Sequence, residues 1–240
     1  MSWEAVRGVP PLGDEVHVWR VALDAEDAVV QRCIEGLSPA ERERAAKFVQ
    51  PRDARRFQVA RGTLRRLLGA YLSVEPAAVP IGVADNGKPR LVSPCADALR
   101  FNVSHSGDVA LVAVARSREV GVDLEAVRPM RDLAGLWRMV ASPVEALRLE
   151  SVPKDRHEAA FYRVWTRKEA WLKATGDGLS RPLQDVEVAF LDGEAPALVH
   201  VAGMPEAGER WAIVALPVDG FEAALAVEGR AGDIRLLEAA

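Results

Sequence analysis

Apolar and polar positions along the chain predict alternating strands and helices. Val16–Leu23 alternates as a strand after an irregular lead-in over 1–14. Ser38-Pro39-Ala40-Glu41 carries the marks of a helix start: serine at the N-cap, proline at the first helical position and Glu41 placed to close a capping box. Helical sequence runs on to about Phe48 and resumes from about Asp53 to Leu72. Asp85-Asn86-Gly87-Lys88-Pro89 reads as a turn with a cation at its tip. Phe101–Asp108 followed by the apolar run Val109–Ala115 reads as a hairpin with a buried second strand. Asp132–Leu149 looks helical with a restart at Ser142-Pro143, and His157–Thr175 is the clearest amphipathic helix. Its stripe is Phe161, Val164, Trp165, Trp171 and Leu172. Lys168 falls inside that stripe, Glu169 borders it, and Lys173 lies one turn beyond Glu169. Gly176-Asp177-Gly178-Leu179 closes the helix. Val186–Phe190, Ala197–Val201, Trp211–Leu216 and Phe221–Val227 complete the pattern as strands, the last two as a hairpin. Strand, helices and hairpin thus occur over 16–115 and again over 120–227, without residue-level repetition.

The chain is organised around Gly121-Val122-Asp123-Leu124-Glu125. As a strand it puts Val120, Val122 and Leu124 on one face and Gly121, Asp123 and Glu125 on the other. The two carboxylates would stand about 6.6 Å apart along the strand, at roughly 3.3 Å of rise per residue. They are either solvated where the strand leaves the core, or held apart by a cation. Oxygen ligands alone suit Mg²⁺ where phosphates complete the set.

Composition changes this picture in two places. The 240 residues, 49% hydrophobic and 28% charged with net charge −4, are ordinary for a globular chain of one domain or two packed halves. No apolar run is long enough to span a bilayer, and the opening residues lack a signal peptide's basic and apolar regions, so a cytoplasmic protein is expected. Cys33 and Cys95 make neither a disulfide framework nor a zinc site. The first departure lies at 41–66, where nine basic residues (Arg42, Arg44, Lys47, Arg52, Arg55, Arg56, Arg61, Arg65, Arg66) face three acids (Glu41, Glu43, Asp53), a local charge of +6. Without aromatic stacking residues this fits a phosphorylated small ligand or an acidic protein partner better than nucleic acid. The second is the scarcity of lysine: of 31 basic residues only Lys47, Lys88, Lys154, Lys168 and Lys173 are lysines, and three of those fall in the stretches already singled out. His105, set between Ser104 and Ser106 at a turn, is placed to grip an anion.

Three of these stretches resemble, in order, the signature motifs of the surfactin-synthetase-activating type of 4′-phosphopantetheinyl transferase. They are Phe101-Asn102-Val103-Ser104-His105-Ser106, Gly121-Val122-Asp123-Leu124-Glu125 and Trp165-Thr166-Arg167-Lys168-Glu169-Ala170-Trp171-Leu172-Lys173. Asn86-Gly87-Lys88-Pro89 and the basic segment from Arg44 to Arg61 match weaker family patterns. The resemblance covers about residues 38 to 182. Trp-x-x-Lys-Glu-Ala is similar to the subgroup serving nonribosomal peptide and polyketide synthases of secondary metabolism.

The resemblance implies an α/β (α+β) pseudo-dimer of two similar halves, 1–117 and 118–240, with coenzyme A in the cleft between them. It implies a transferase that moves phosphopantetheine from coenzyme A to a serine of an apo acyl or peptidyl carrier protein and releases adenosine 3′,5′-bisphosphate. Asp123, Glu125 and Glu169 would hold Mg²⁺. Glu169 and Lys173 would be catalytic, with Lys173 on the leaving group. Arg44, Arg56, Arg61, Lys88, Pro89, Ser104 and His105, with Asp123 and Lys173, would contact coenzyme A. Arg44 stands where some relatives carry lysine, keeping the charge but offering a planar fork. The base for the carrier serine is left between Glu169 and a metal-bound water. A monomer is expected, with neither nucleic acid nor membrane as partner. A Mg²⁺-dependent nucleotide pyrophosphate hydrolase and a non-catalytic coenzyme A-binding module are the alternatives.

Overall fold

The computed structural model describes residues 1–6, 8–84, 87–178 and 181–239. Asp85 and Asn86 of the expected cationic turn, and Leu179 of the expected helix stop, lie outside the described residues. The chain gathers into two compact units. The first comprises Met1–Arg100, His105–Ser117 and Asp233–Ala240; the second comprises Phe101–Ser104 and Arg118–Gly232. Two segments therefore cross position 117/118 in opposite directions.

The first unit contains β1 (Glu4–Ala5), β2 (Val16–Ala22), α1 (Asp27–Glu35), α2 (Pro39–Ala46), α3 (Pro51–Leu72), β3 (Ile81–Val83), β4 (Pro89–Leu91) and the ends of β5 (Arg100–Ser106). β6 (Val109–Ala115) completes its hairpin. The second unit begins with β7 (Val120–Ala126), α4 (Leu133–Val140), α5 (Pro143–Leu149) and α6 (His157–Thr175). It continues through β8 (Val186–Val188), β9 (Leu198–Val201), α7 (Ala207–Arg210), β10 (Trp211–Ala215) and β11 (Phe221–Glu228). The closing strand, β12 (Ile234–Glu238), returns to the first unit.

Among the described residues, the first unit's sheet runs β1-β12-β2-β6-β5. β12 joins it because its row Ile234 to Glu238 pairs in parallel with Val16 to Arg20. β2 pairs antiparallel with β6, matching Val18 to Ala113. As the central strand, β2 is buried on both faces, with Val16 and Val18 on one and His17 and Trp19 on the other. α3 meets the sheet through Tyr71, whose hydroxyl accepts from Trp19 Nε1 at 2.8 Å. Tryptophan can only donate, so the Tyr71 O–H points to His17 Nδ1 at 2.6 Å, and His17 Nε2–H donates to Glu15 Oε1 at 3.2 Å. The α2 start is capped as its sequence specifies, Ser38 N donating to Glu41 Oε2 and Glu41 N to Ser38 Oγ.

Burial lowers the His17 pKa from 6.5, and the Glu15 carboxylate, with Glu4 further off, offsets that only in part; Arg235 adds to it. The folded chain thus takes up this proton at lower pH than the unfolded chain does. The stability from neutral His17 is complete above pH 6.5 and declines as pH falls from there through the folded pKa. We expect the melting temperature to drop with acidification below about pH 6, and His17→Gln to flatten that part of the profile. Thermal melts of both proteins across the range check this; parallel profiles would clear His17 of the effect.

In the second unit β7 is an edge of the order β10-β11-β7, with Asp123 opposite Ala224 and Glu125 opposite Glu222. α6 crosses this sheet and buries Phe161, Val164, Ala170, Trp171 and Leu172. These pack with Trp137, Val140, Val186, Phe190 and Trp211 as the unit's core. Trp165, expected in the stripe, is half-buried at its margin and stacks on Phe161 with centroids 6.1 Å apart. α6 ends where Gly176 turns into the left-handed region at φ 80°.

The helical stretch over 132–149 is two helices, the second beginning at the restart expected at Ser142-Pro143. Asp132 Oδ1 accepts from Gly135 N at the first, and Ser142 and Glu145 form a capping box at the second. The strand predicted over 186–190 stops at Val188, after a register shift at Glu187 and Val188.

Candidate active site

α6 approaches β7 so closely because residue 121 has no side chain. A Cβ on Gly121 would lie 2.0 Å from Ala170 O and 2.4 Å from Ala174 N. Glycine at this position admits the backbone of a helix beside the two acids. That contact sets the Gly121, Asp123 and Glu125 face of the strand against Glu169 and Lys173 on α6. Asn102 fixes the strand from its other flank, its Oδ1 accepting from Val122 N at 2.9 Å while the side chain is buried.

Lys173 Nζ donates to Asp123 Oδ1 at 2.6 Å and to Ser104 Oγ at 3.0 Å, and lies 3.4 Å from Val122 O. Ser104 Oγ–H in turn donates to Asp123 Oδ1 at 2.8 Å. Ser104, Asp123 and Lys173 therefore form one hydrogen-bonded group. The bond joins Lys173 on α6 to Asp123 on β7 across 50 residues. Asp123 is almost wholly buried, yet its Oδ2 has no hydrogen-bond partner, and neither does the buried Glu169 Oε1. Burial pushes the Glu169 carboxyl above its ordinary range; the Asp123 charge adds to this, Lys173 opposes it, and Glu125 contributes in the same sense as Asp123.

Two buried carboxylate oxygens without partners, in an all-oxygen donor set, fit a hard divalent cation. As placed, no group of three His, Cys, Asp or Glu among the described residues converges tightly enough to ligate one. The cation seated on Asp123 is the Lys173 ammonium.

The other expected contacts belong to the first unit and differ in what they touch. His105 is exposed on β5, and Lys88 and Pro89 are half-buried where β4 begins. Arg44 is exposed and its guanidinium lies over the Phe57 ring, 5.2 Å from the centroid. Arg56 is taken up by Asp24, with two bonds of 2.7 Å, and its third arm donates to Gly107 O at 2.8 Å. It thereby braces the turn that follows His105. Arg61 and Arg65 both clasp the buried Glu41. Burial alone would raise the Glu41 carboxyl; Arg65, the Ser38 amide and Arg61 hold it below its ordinary range instead. Most of the segment's basic side chains are thus engaged internally, Lys47 by Glu43 and Arg61 and Arg65 by Glu41 within it, and Arg55 by Asp27 and Arg56 by Asp24 from outside it. A net count along the segment does not show that, since it omits Asp24 and Asp27 and does not say which of its own acids each arginine meets.

Lys168 is fully buried on the side of α6 that packs on α4 and α5, bonded to Glu145. It is part of the core scaffold. Asn102 drew no separate attention in the sequence beyond its motif; a lone polar residue among apolar neighbours on a strand was the signal available.

The family model of the 4′-phosphopantetheinyl transferase superfamily matches residues 119–225. That of the 4′-phosphopantetheinyl transferase N-terminal region matches residues 24–117. The chain is 42% identical over 220 residues to the 4′-phosphopantetheinyl transferase HetI of Nostoc sp., covering 91% of this chain and 90% of that protein. It is 32% identical over 161 residues to a 4′-phosphopantetheinyl transferase of Bacillus subtilis, covering 67% and 70%. Among solved structures, the holo-(acyl-carrier-protein) synthase of Bacillus anthracis in complex with CoA aligns with 47% of this chain and 96% of its own, at 20% identity and a TM-score of 0.39. The chain belongs to the 4′-phosphopantetheinyl transferase superfamily. It is an enzyme of that activity.

Proposed function

We propose that the enzyme takes coenzyme A as donor and the serine of an apo acyl or peptidyl carrier protein as acceptor. The serine oxygen bonds to the phosphorus that carries the pantetheine arm. The bond from that phosphorus to the bridging oxygen breaks, and adenosine 3′,5′-bisphosphate leaves. The serine proton passes to a base on the reacting side of α6, a role assigned to Glu169. Asp123, Glu125 and Glu169 are the residues that would hold Mg²⁺. Bound there, it would offset charge on the pyrophosphate. Lys173 supplies a second positive charge on the same side of the strand and steadies the leaving phosphate. Ser104 holds Asp123 and Lys173 in register.

The half 1–117 carries the coenzyme A contacts, through Arg44, Lys88, Pro89 and His105, and the half 118–240 carries the chemistry. Arg56 and Arg61 act through the turn and the helix they brace, because their guanidiniums are already engaged by Asp24 and Glu41. The enzyme works as a cytoplasmic monomer, its two α/β units supplied by one chain. No helix among the described residues is long and apolar enough to cross a membrane. Carriers of nonribosomal peptide or polyketide synthases are the substrates the Trp-x-x-Lys-Glu-Ala sequence suggests.

The observation that carries the site assignment is the pair of partnerless buried oxygens, Asp123 Oδ2 and Glu169 Oε1, beside a lysine. Intact-mass measurement of a panel of apo carrier domains with coenzyme A and Mg²⁺ tests the reaction. Bisphosphate release at full speed without carrier would reassign the enzyme as a pyrophosphate hydrolase. Asp123→Asn and Lys173→Ala should each lower kcat by about 10²–10³-fold, the scale of losing one group that meets charge in the transition state. Unchanged kcat in either variant would remove that residue from the reacting site.

A further inference from the structure

We propose that Lys173 is an internal stand-in for the divalent cation: it occupies Asp123 in the coenzyme A-free enzyme and keeps the metal from settling there until a pyrophosphate draws the ammonium away. The inference rests on the assignment of Asp123, Glu125 and Glu169 as metal carboxylates.

Three features of the group support it. The ammonium sits 2.6 Å from Asp123 Oδ1, a contact distance at which a divalent cation and the ammonium cannot share the oxygen without strong repulsion. Exposure is uneven: the Lys173 side chain is 30% exposed and that of Asp123 5%. The lysine can swing out while the aspartate stays, held by the hydrogen bond from Ser104 Oγ at 2.8 Å. Meanwhile Asp123 Oδ2 and Glu169 Oε1 are left without partners, so one ammonium does not satisfy the carboxylates that surround it. The arrangement holds the carboxylates in place yet is incomplete enough to yield to a better-matched cation.

The anion that removes Lys173 must present several oxygens and lie beside β7, which is what the pyrophosphate of coenzyme A offers. Metal and coenzyme A then bind with positive coupling, because each favours the state in which Lys173 has left Asp123. The apparent metal affinity of the coenzyme A-free enzyme is reduced by the small fraction of molecules in that state.

Mn²⁺ titrated into the protein and followed by electron paramagnetic resonance of the free ion tests this without turnover. Lys173→Met should bind Mn²⁺ in the absence of coenzyme A about tenfold or more tightly than the wild type, the order expected for relieving one close like-charge contact. Lys173→Arg should stay weak, and coenzyme A should strengthen Mn²⁺ binding far more in the wild type than in Lys173→Met. Circular dichroism establishes that the variants are folded; should Lys173→Met fail to fold, Lys173→Gln, which keeps a hydrogen bond to Asp123, carries the same comparison. Equal Mn²⁺ affinity in the wild type and the uncharged variant would overturn the stand-in role and leave the metal assignment intact. Absence of Mn²⁺ binding in every protein, with coenzyme A present, would overturn the metal assignment itself and the inference with it.

Discussion

Gly121→Ala is expected to destabilise the second unit by about 3 kcal/mol or more, at the upper end of what one extra methyl group does in a packed core. A Cβ at this position would stand 2.0 Å from Ala170 O, 2.4 Å from Ala174 N and 3.0 Å from Ala174 Cα. All three are backbone atoms of α6, so no side chain can rotate aside to admit it. The helix must move by more than an ångström or the strand must bend. Either shift also separates Asp123 on β7 from Glu169 and Lys173 on α6, since the glycine contact sets the spacing of the two elements. Activity and stability should therefore fall together, and substrate should not restore the first. Urea denaturation of the variant, read beside transfer to a saturating apo carrier, measures both. A wild-type midpoint in Gly121→Ala would show that the helix and strand have slack that the distances deny.

Where a local signal specified an element, the sequence carried it. α2 starts at its capping box, and α6 runs over His157–Thr175, its course marked by an apolar stripe and its C-terminal end by Gly176. The acidic strand and the helix that answers it were legible for the same reason. α1 was not: its N-cap, Glu26, makes no side-chain cap hydrogen bond, and Val30 and Cys33 are its buried residues, too few to set a period. β12 escaped notice because five residues at the chain's end take their meaning from pairing with β2, more than two hundred positions earlier.

The site shows the same division. Local spacing sets Glu169 and Lys173 one turn apart on a helix and Asp123 and Glu125 on one strand face, but only the fold brings Lys173 onto Asp123 across 50 residues. The basic segment reads as ligand-facing because Asp24 and Asp27 lie outside it, and because a count does not show Arg61 and Arg65 closing on Glu41. Sequence shows which charges a face carries; only the fold shows which of them are already spoken for.

The two lysines of α6 invite opposite expectations, and Lys168 carries the larger effect on stability. It is fully buried, and its three protons go to Glu145 Oε2 at 2.6 Å, Val140 O at 2.8 Å and Leu183 O at 3.0 Å. Glu145 is equally committed: its Oε2 also accepts from Ser142 N, and its Oε1 from Val188 N, both at 2.8 Å. One ion pair thus ties the end of α4, the start of α5, β8 and the turn at Leu183 to α6. Burial pushes the Lys168 pKa down and that of Glu145 up, each against the attraction of its partner, so the pair is held by its complete hydrogen bonding rather than by charge alone. Lys168→Met would leave a carboxylate and two carbonyls buried without their donor. It should cost about 3–5 kcal/mol, as breaking one side of a buried pair does. Glu145→Gln should cost less, because the amide oxygen still accepts from Val188 N. The double variant should be destabilised by less than the sum of the two, since the charge that each single change strands is gone. Below their melting temperatures, all three should keep kcat within a few-fold of the wild type, in contrast to Lys173→Ala. Chemical denaturation of the four proteins, with kcat measured well below each midpoint, separates the roles. Loss of kcat in Lys168→Met at unchanged stability would move Lys168 out of the scaffold and into the reacting site.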